Sequence, residues 1–287
     1  MTPTTVSREF AIEFEGRGIG WDELVPVLAE AAGASAIEEV VLDRLVTREL
    51  LARGMAVRSA DVDRERNLLA EELRSSSGEL ADAAFTRLRD RRGLGDVRMR
   101  SLLERNAGLR MLVADRVSVS ESDIETAHAI AHGPRIRVRY LVAPSLIEAS
   151  AIRERIEAAP DRTVSFATEA VNNSIDISGG RGGIVDPISL ADPRWPRAIR
   201  ERLSTLNMGE VSEPLVVDGG FALVMPEGLV PGDGVAHGGV RQSLERRLRL
   251  ARERAAMEQL AARLLSGARF EILDPQLAWS WERRRNR

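Results

Sequence analysis

Four glycines fall within five residues at Gly179-Gly180-Arg181-Gly182-Gly183, directly after a helix-like run and the triplet Ser174-Ile175-Asp176. A cluster this dense marks backbone that turns through positive φ and approaches something closely, which glycine alone does freely. Whatever the chain folds into, this stretch is a shaped loop. No Lys-Ser or Lys-Thr follows it, so it is not read as a phosphate-binding loop.

The apolar periodicity on either side says what the loop joins. From Arg135, Ile136, Val138, Tyr140 and Val142 alternate with Arg135, Arg137, Arg139 and Leu141, the pattern of a strand with one apolar face. Ser145-x-x-Glu148 caps a helix through Ala149, Ile152 and Ile156 that ends near Pro160, and Phe166, Ala167, Ala170 and Val171 make a second helix. Trp195, Ala198, Ile199 and Leu203 make a third. Leu215 to Val217 and Phe221 to Met225 form a hairpin around Asp218-Gly219. Strand, helices and strand pair together predict a compact α+β unit over 135–230.

Before Arg135 the period is helical. Phe10 to Gly16 reads as one short strand turning at Gly16 to Gly20, and Asp22 as the N-cap of a helix near Glu23 to Ala32. Ile37, Val40, Val41, Leu45 and Leu50 continue at helical spacing to a C-cap at Gly54. Further helices open at Ser59 and Asp96, another carries Leu80, Ala84, Phe85 and Leu88, and Ser120-x-x-Asp123 is a capping box for one that ends at Gly133-Pro134. Residues 1–134 are thus a helical module. After the Pro231-to-Gly234 linker, residues 235–287 give a long amphipathic helix from near Val240, then a strand-like Phe270-Glu271-Ile272-Leu273 and a solvated Arg-rich tail. No tandem repeat is visible.

At 287 residues the chain has length for one large or two modest domains, and with 44% hydrophobic and 30% charged residues it reads as globular. A net charge of −3 supplies no basic field, so no nucleic-acid partner is expected. The absence of Cys excludes disulfides, thiol catalysis and zinc-thiolate sites. His128 and His132 lie i, i+4, but no Glu of a His-Glu-x-x-His pattern and no third ligand accompany them, so they read as surface histidines. His237 sits in a glycine-rich linker. No metal and no cofactor is expected. No apolar run reaches membrane-spanning length and the N-terminus has no apolar leader, so no membrane insertion is expected. As written the protein is expected to be cytoplasmic, or to act in the cell envelope if its start is trimmed or misassigned.

Taken in order, the motifs Ser174-Ile175-Asp176, Gly179-Gly180-Arg181-Gly182-Gly183, Trp195, Met208-Gly209-Glu210-Val211-Ser212-Glu213-Pro214 and Gly219-Gly220-Phe221-Ala222 resemble the parvulin family of peptidyl-prolyl cis-trans isomerases, over roughly a third of the chain. The helical flanks are similar to the chaperone module that accompanies parvulin domains in SurA-type and PrsA-type foldases. The resemblance implies an α+β protein: a mostly helical chaperone module built from both chain ends, with an inserted small antiparallel sheet packed by helices.

By the same resemblance, the polar positions of the site fall on Tyr140, where the family has His on the first strand, on Asp176, and on Ala222, where it has His on the last strand. Leu190, Trp195 and Phe221 fall at the apolar proline-binding wall, with Ala222 beside them. Asp176 and Tyr140 are therefore the candidate catalytic residues, and Leu190, Trp195, Phe221 and Ala222 the candidate substrate-binding ones. On the residues alone, Asp176 serves equally as a loop-capping side chain, and the three apolar residues as ordinary core. Two of the three polar positions have changed, which leaves open a prolyl isomerase of weak activity, a binding-only chaperone, or a maturation factor for one client. All three act on unfolded, maturing or proline-containing polypeptide. The sequence leaves the oligomeric state open.

Overall fold

The computed structural model describes residues 10–77 and 81–285. It is α+β, as expected, with ten helices and two small antiparallel sheets among the described residues. The chain divides into two compact units, a helical one of Met1–Val117 with Ala251–Arg287 and a sheet one of Ser118–Leu250.

The helical unit begins with a hairpin where a single strand was expected. β1 (Phe10–Phe14) pairs antiparallel with β2 (Arg17–Gly20) through Glu15 and Gly16, at φ 49° and 75°. Positive φ at both central residues gives the twist that two antiparallel strands need. Gly18, read from the sequence as part of the turn, lies in the second strand, where a Cβ would lie 2.2 Å from the Phe10 ring that fills that space.

α1 (Trp21–Ala52) is one unbroken helix. Asp22 is in its first turn and Gly20 occupies the N-cap, a correction to the expected cap; there Asp22 still faces the positive end of the helix dipole. Gly33 does not interrupt it, because α10 (Pro275–Arg285) packs there, with Leu277 Cδ2 2.6 Å from where a Cβ would be. The expected C-cap at Gly54 forms as a Schellman motif. Gly54 (φ 66°) donates to Leu51 O at 3.0 Å and Met55 to Leu50 O at 2.9 Å.

α2 (Ser59–Ser77), α3 (Ala81–Arg92) and α4 (Asp96–Val113) follow; the expected helical position Leu80 lies outside the described residues. Val46, Leu50, Leu109, Leu112 and Val113 pack with Met257 and Leu260 of α9 (His237–Ser266). Residues 270–273 form no strand and 275–285 form α10, so the Arg-rich end is not a free tail: Arg284 pairs with Glu38 at 2.6 Å, and the buried Ser280 Oγ accepts from Ala34 N. Periodicity could not show this, since α10 is short and polar overall and docks by setting Leu277 and Ser280 against Gly33 and Ala34 of a distant helix.

Sequence reading also missed a polar core. The half-buried Arg110 guanidinium bonds both Glu65, which is 5% exposed, and Glu253, tying α4 to α2 and α9. Removing one partner of a buried ion network strands the others in low dielectric and costs about 3–5 kcal/mol. Arg110→Met is therefore expected to lower the urea midpoint of the helical unit clearly. In a Trp195→Phe background the fluorescence comes from Trp21, Trp279 and Trp281, all in that unit; an unchanged midpoint would show that the network contributes nothing.

In the sheet unit, α5 (Glu121–His132) starts at the expected capping box and runs into β3 (Arg135–Ala143). β3 pairs along its whole length with β5 (Gly220–Val230), which carries β4 (Leu215–Val217) on its other side. β5 runs well past the expected end at Met225. β3 is buried on both faces at its C-terminal end, where one apolar face was expected. Leu141, Ala143, Leu223 and Met225 meet α6 (Leu146–Ala158) and α7 (Arg162–Asn173), whereas Val138, Val142, Ala222 and Val224 meet Ile188 and α8 (Arg197–Leu203).

The three histidines, separate in sequence, meet in space. His128 lies 5.2 Å, ring centroid to centroid, from both His132 and His237. His128 Nε2 bonds Val235 O and His132 Nδ1 bonds Asp233, so they hold the linker onto α5 and are not free surface side chains. The His132 hydrogen bond holds the Asp233 carboxyl below its ordinary range. Among the described residues no three His, Asp or Glu are arranged to hold a metal ion, and no helix is long and apolar enough to cross a membrane.

Candidate functional site

With β5 on one edge of β3, the other edge needs partners for its own N–H and C=O groups. The segment after α7 supplies them. Val142 N donates to Ser174 Oγ (3.1 Å), Ile175 N to Val142 O (2.8 Å) and Tyr140 N to Gly183 O (2.8 Å), while Ile136 and Ile188 exchange two bonds of 2.8 Å. This is what the glycines serve. Gly182 and Gly183 sit at φ 65° and 78°, and a Cβ on Gly183 would lie 2.7 Å from Tyr140 O. Arg139 completes the clamp by donating to Gly182 O (2.7 Å) while pairing with Glu227.

Asp176 lies on this loop as the N-cap of a one-turn 3-10 helix, Ile177–Arg181. Its Oδ1 accepts from Ser178 N (2.8 Å) and Ser178 Oγ (2.6 Å). The capping role that the sequence left open is therefore the one the carboxylate fills. Ser178, buried and unforeseen, is the residue that fixes it.

Tyr140 projects on the face of β3 opposite Leu141 and meets Trp195 edge-on, with centroids 5.5 Å apart at 85°. Leu190 and Trp195 pack on the same cluster. Trp195 precedes α8 instead of lying within it. Arg200, which sequence reading also missed, positions both: its Nε donates to Trp195 O (3.0 Å) and its guanidinium to Leu190 O (3.1 Å). Just upstream, the Arg194 guanidinium beside the buried Asp192 holds that carboxyl below its ordinary range and closes the turn.

Tyr140, Leu190, Trp195 and Ala222 thus share one side of the sheet, with Asp176 close enough for its charge to act on Tyr140. Two of the expected substrate-binding residues nevertheless offer no surface there. Ala222 is fully buried between Val142 and Leu215, where it serves as floor. Phe221 packs with Leu141 and Met225 on the opposite face, because adjacent residues of a strand alternate sides. What remains is a half-buried wall of two aromatics and a leucine beside a carboxylate, able to hold an apolar ring and offer it one hydroxyl.

No protein-family model matches the chain, and no curated protein matches it. Solved structures do resemble it. PrsA peptidylprolyl isomerase from Bacillus anthracis is 18% identical, with 83% of this chain and 100% of that one covered and a TM-score of 0.48. PrsA from Bacillus cereus is 17% identical, with 96% and 98% covered and a TM-score of 0.43. A match among two SurA-like chaperones of Campylobacter jejuni is 14% identical, with 92% and 99% covered and a TM-score of 0.34. With TM-scores below 0.5, these likenesses are distant.

Burial, and after it the Asp176 charge, pushes the Tyr140 hydroxyl up to about 12. Because the folded value lies above the ordinary value of about 10, the stabilisation is full below that value and is lost as pH rises from about 10 to 12. The chain has a single tyrosine, so tyrosinate absorbance reads this group alone. The expected midpoint is about 12, lower in Asp176→Asn; a midpoint near 10 would mean that Tyr140 is not packed as described.

Proposed function

We propose that this chain is a foldase of the parvulin type that acts on unfolded or maturing polypeptide, its sheet unit taking a proline-containing segment on the Tyr140–Trp195–Leu190 wall. The single observation that supports this most is the edge-on Tyr140–Trp195 pair standing half-buried beside the loop of Asp176. The sequence resemblance fits it, with Tyr140 and Asp176 at two of the polar positions.

Prolyl isomerisation breaks no covalent bond. Its barrier, about 18–20 kcal/mol, is amide resonance, so a catalyst need only bind the twisted amide better than the planar one. Withdrawing water from the amide and placing one or two polar groups beside it is enough chemistry. Trp195 and Leu190 would seat the pyrrolidine ring, Tyr140 would present its hydroxyl, and Asp176 would bias the local field. The Ser178 bonds to Asp176 and the buried methyl of Ala222 leave fewer polar groups than the family pattern carries, so turnover is expected to be weak. The same two features favour a second reading, a chaperone that holds polypeptide without isomerising it.

A protease-coupled assay on Xaa-Pro peptides separates the two. For a catalyst, the wild type accelerates isomerisation and Asp176→Ala loses about tenfold, the rate equivalent of about 1.4 kcal/mol of lost field at the site. Because Asp176 also caps the 3-10 turn, Tyr140→Phe, which keeps the ring, provides the second reading of the same site. Rates equal to the uncatalysed one for the wild type would leave the holding role.

A further inference from the structure

The helical unit contains a half-open cleft of about 860 Å³ lined by the C-terminal half of α1, the turn after it, and parts of α2, α3 and α4. Sites for small groups occupy about 300–1,000 Å³, and their apolar walls supply most of the affinity. The inner lining here is apolar: Val46, Leu50, Val57, Phe85, Met99 and Leu103. The rim is charged, and its charges are not all used.

Of the five arginines on the lining, three are paired: Arg105 with Asp43 (2.8 Å), Arg89 with Asp96 (2.5 Å) and Arg100 with Glu104 (3.2 Å). Arg58 and Arg66 form no ion pair among the described residues; Asp63 also lines the cavity and pairs with neither. Their placement is local in origin. Arg58 stands just before α2, where its backbone N–H donates to Asp61 (3.0 Å), and Arg66 is two turns further along. Arginine is charged at every relevant pH and grips carboxylates with a planar fork.

We propose that this cavity receives an apolar client segment flanked by a carboxylate, with Arg58 and Arg66 setting that preference. This rests on the polypeptide-binding function proposed above and adds the sequence character of the client. The apolar side chains enter the cavity and the acidic flank lies across the two guanidiniums, an attraction that weakens with salt because the rim is exposed.

The test uses the full chain and two fluorescent peptides with the same Leu- and Phe-rich centre, one flanked by Glu and one by Arg, read by anisotropy. The Glu-flanked peptide is expected to bind about three- to tenfold tighter at low salt, the range for two exposed ion pairs. The Arg58→Glu/Arg66→Glu double variant is expected to reverse that order. Arg116→Glu/Arg162→Glu makes the same change in net charge at exposed positions that do not line the cavity, and is expected to preserve it; circular dichroism checks that each variant is folded. Equal affinity for the two peptides, or equal behaviour of the two double variants, overturns the proposal while leaving polypeptide binding intact. If neither peptide binds the wild type, the cavity is not a polypeptide site and the proposal is overturned, whereas failure of the foldase function itself shows separately, as no response to Xaa-Pro peptides. Binding of dodecanoate that depends on Arg58 and Arg66, with no peptide bound, overturns it in favour of a small amphipathic anion.

Discussion

The sheet unit depends on β3 having both of its edges hydrogen-bonded. β5 takes one edge residue by residue, and the segment from Ser174 to Ile188 takes the other. An exposed edge is unstable against pairing with other chains, and here the cover is a loop instead of another full strand. The loop can lie that close only because Gly183 has no Cβ to strike Tyr140 O. Asp176, Ser178 and the approach to Trp195 then follow from where that loop must run. The candidate site is a by-product of how one strand is closed off.

The helical unit is held by a different constraint. Its apolar faces bury Val46, Leu50, Leu112 and Met257 in the ordinary way, but its registration depends on Arg110 meeting two carboxylates from two helices. Such a network adds little net stability over an apolar core while rejecting arrangements that leave a charge stranded. It also explains how segments at opposite ends of the chain find one unit: Glu65 and Glu253 are far apart in sequence and share one guanidinium.

Much of this was legible in the residues. The change of period at Arg135 placed β3, the Ser120 and Ser145 caps placed α5 and α6, and Gly54 placed the end of α1. Each of those signals is local. The misreadings came where the deciding contact is distant. Gly18 and Gly33 look like breakers until Phe10 and Leu277 are seen in the space they leave, and α10 is too polar to announce itself as a docked helix. In the site, Tyr140, Leu190 and Trp195 were found together, whereas Phe221 was assigned to the wrong side because the resemblance gave positions without the strand's alternation. Ser178 and Arg200 act by bonding backbone and neighbours within the fold, which no spacing rule displays. The histidine cluster joins two sequence neighbours to a residue more than a hundred positions away.

The central claim is that the wall beside Asp176 holds a proline-containing segment, and Trp195 is the reporter best placed to test it. It is the one tryptophan of the sheet unit, so a Trp21→Phe/Trp279→Phe/Trp281→Phe variant leaves its fluorescence alone. Titration with an Xaa-Pro peptide is expected to change that emission saturably, and to do so more weakly with the same peptide carrying Ala in place of Pro. No change with either peptide, or identical changes with both, would contradict the account.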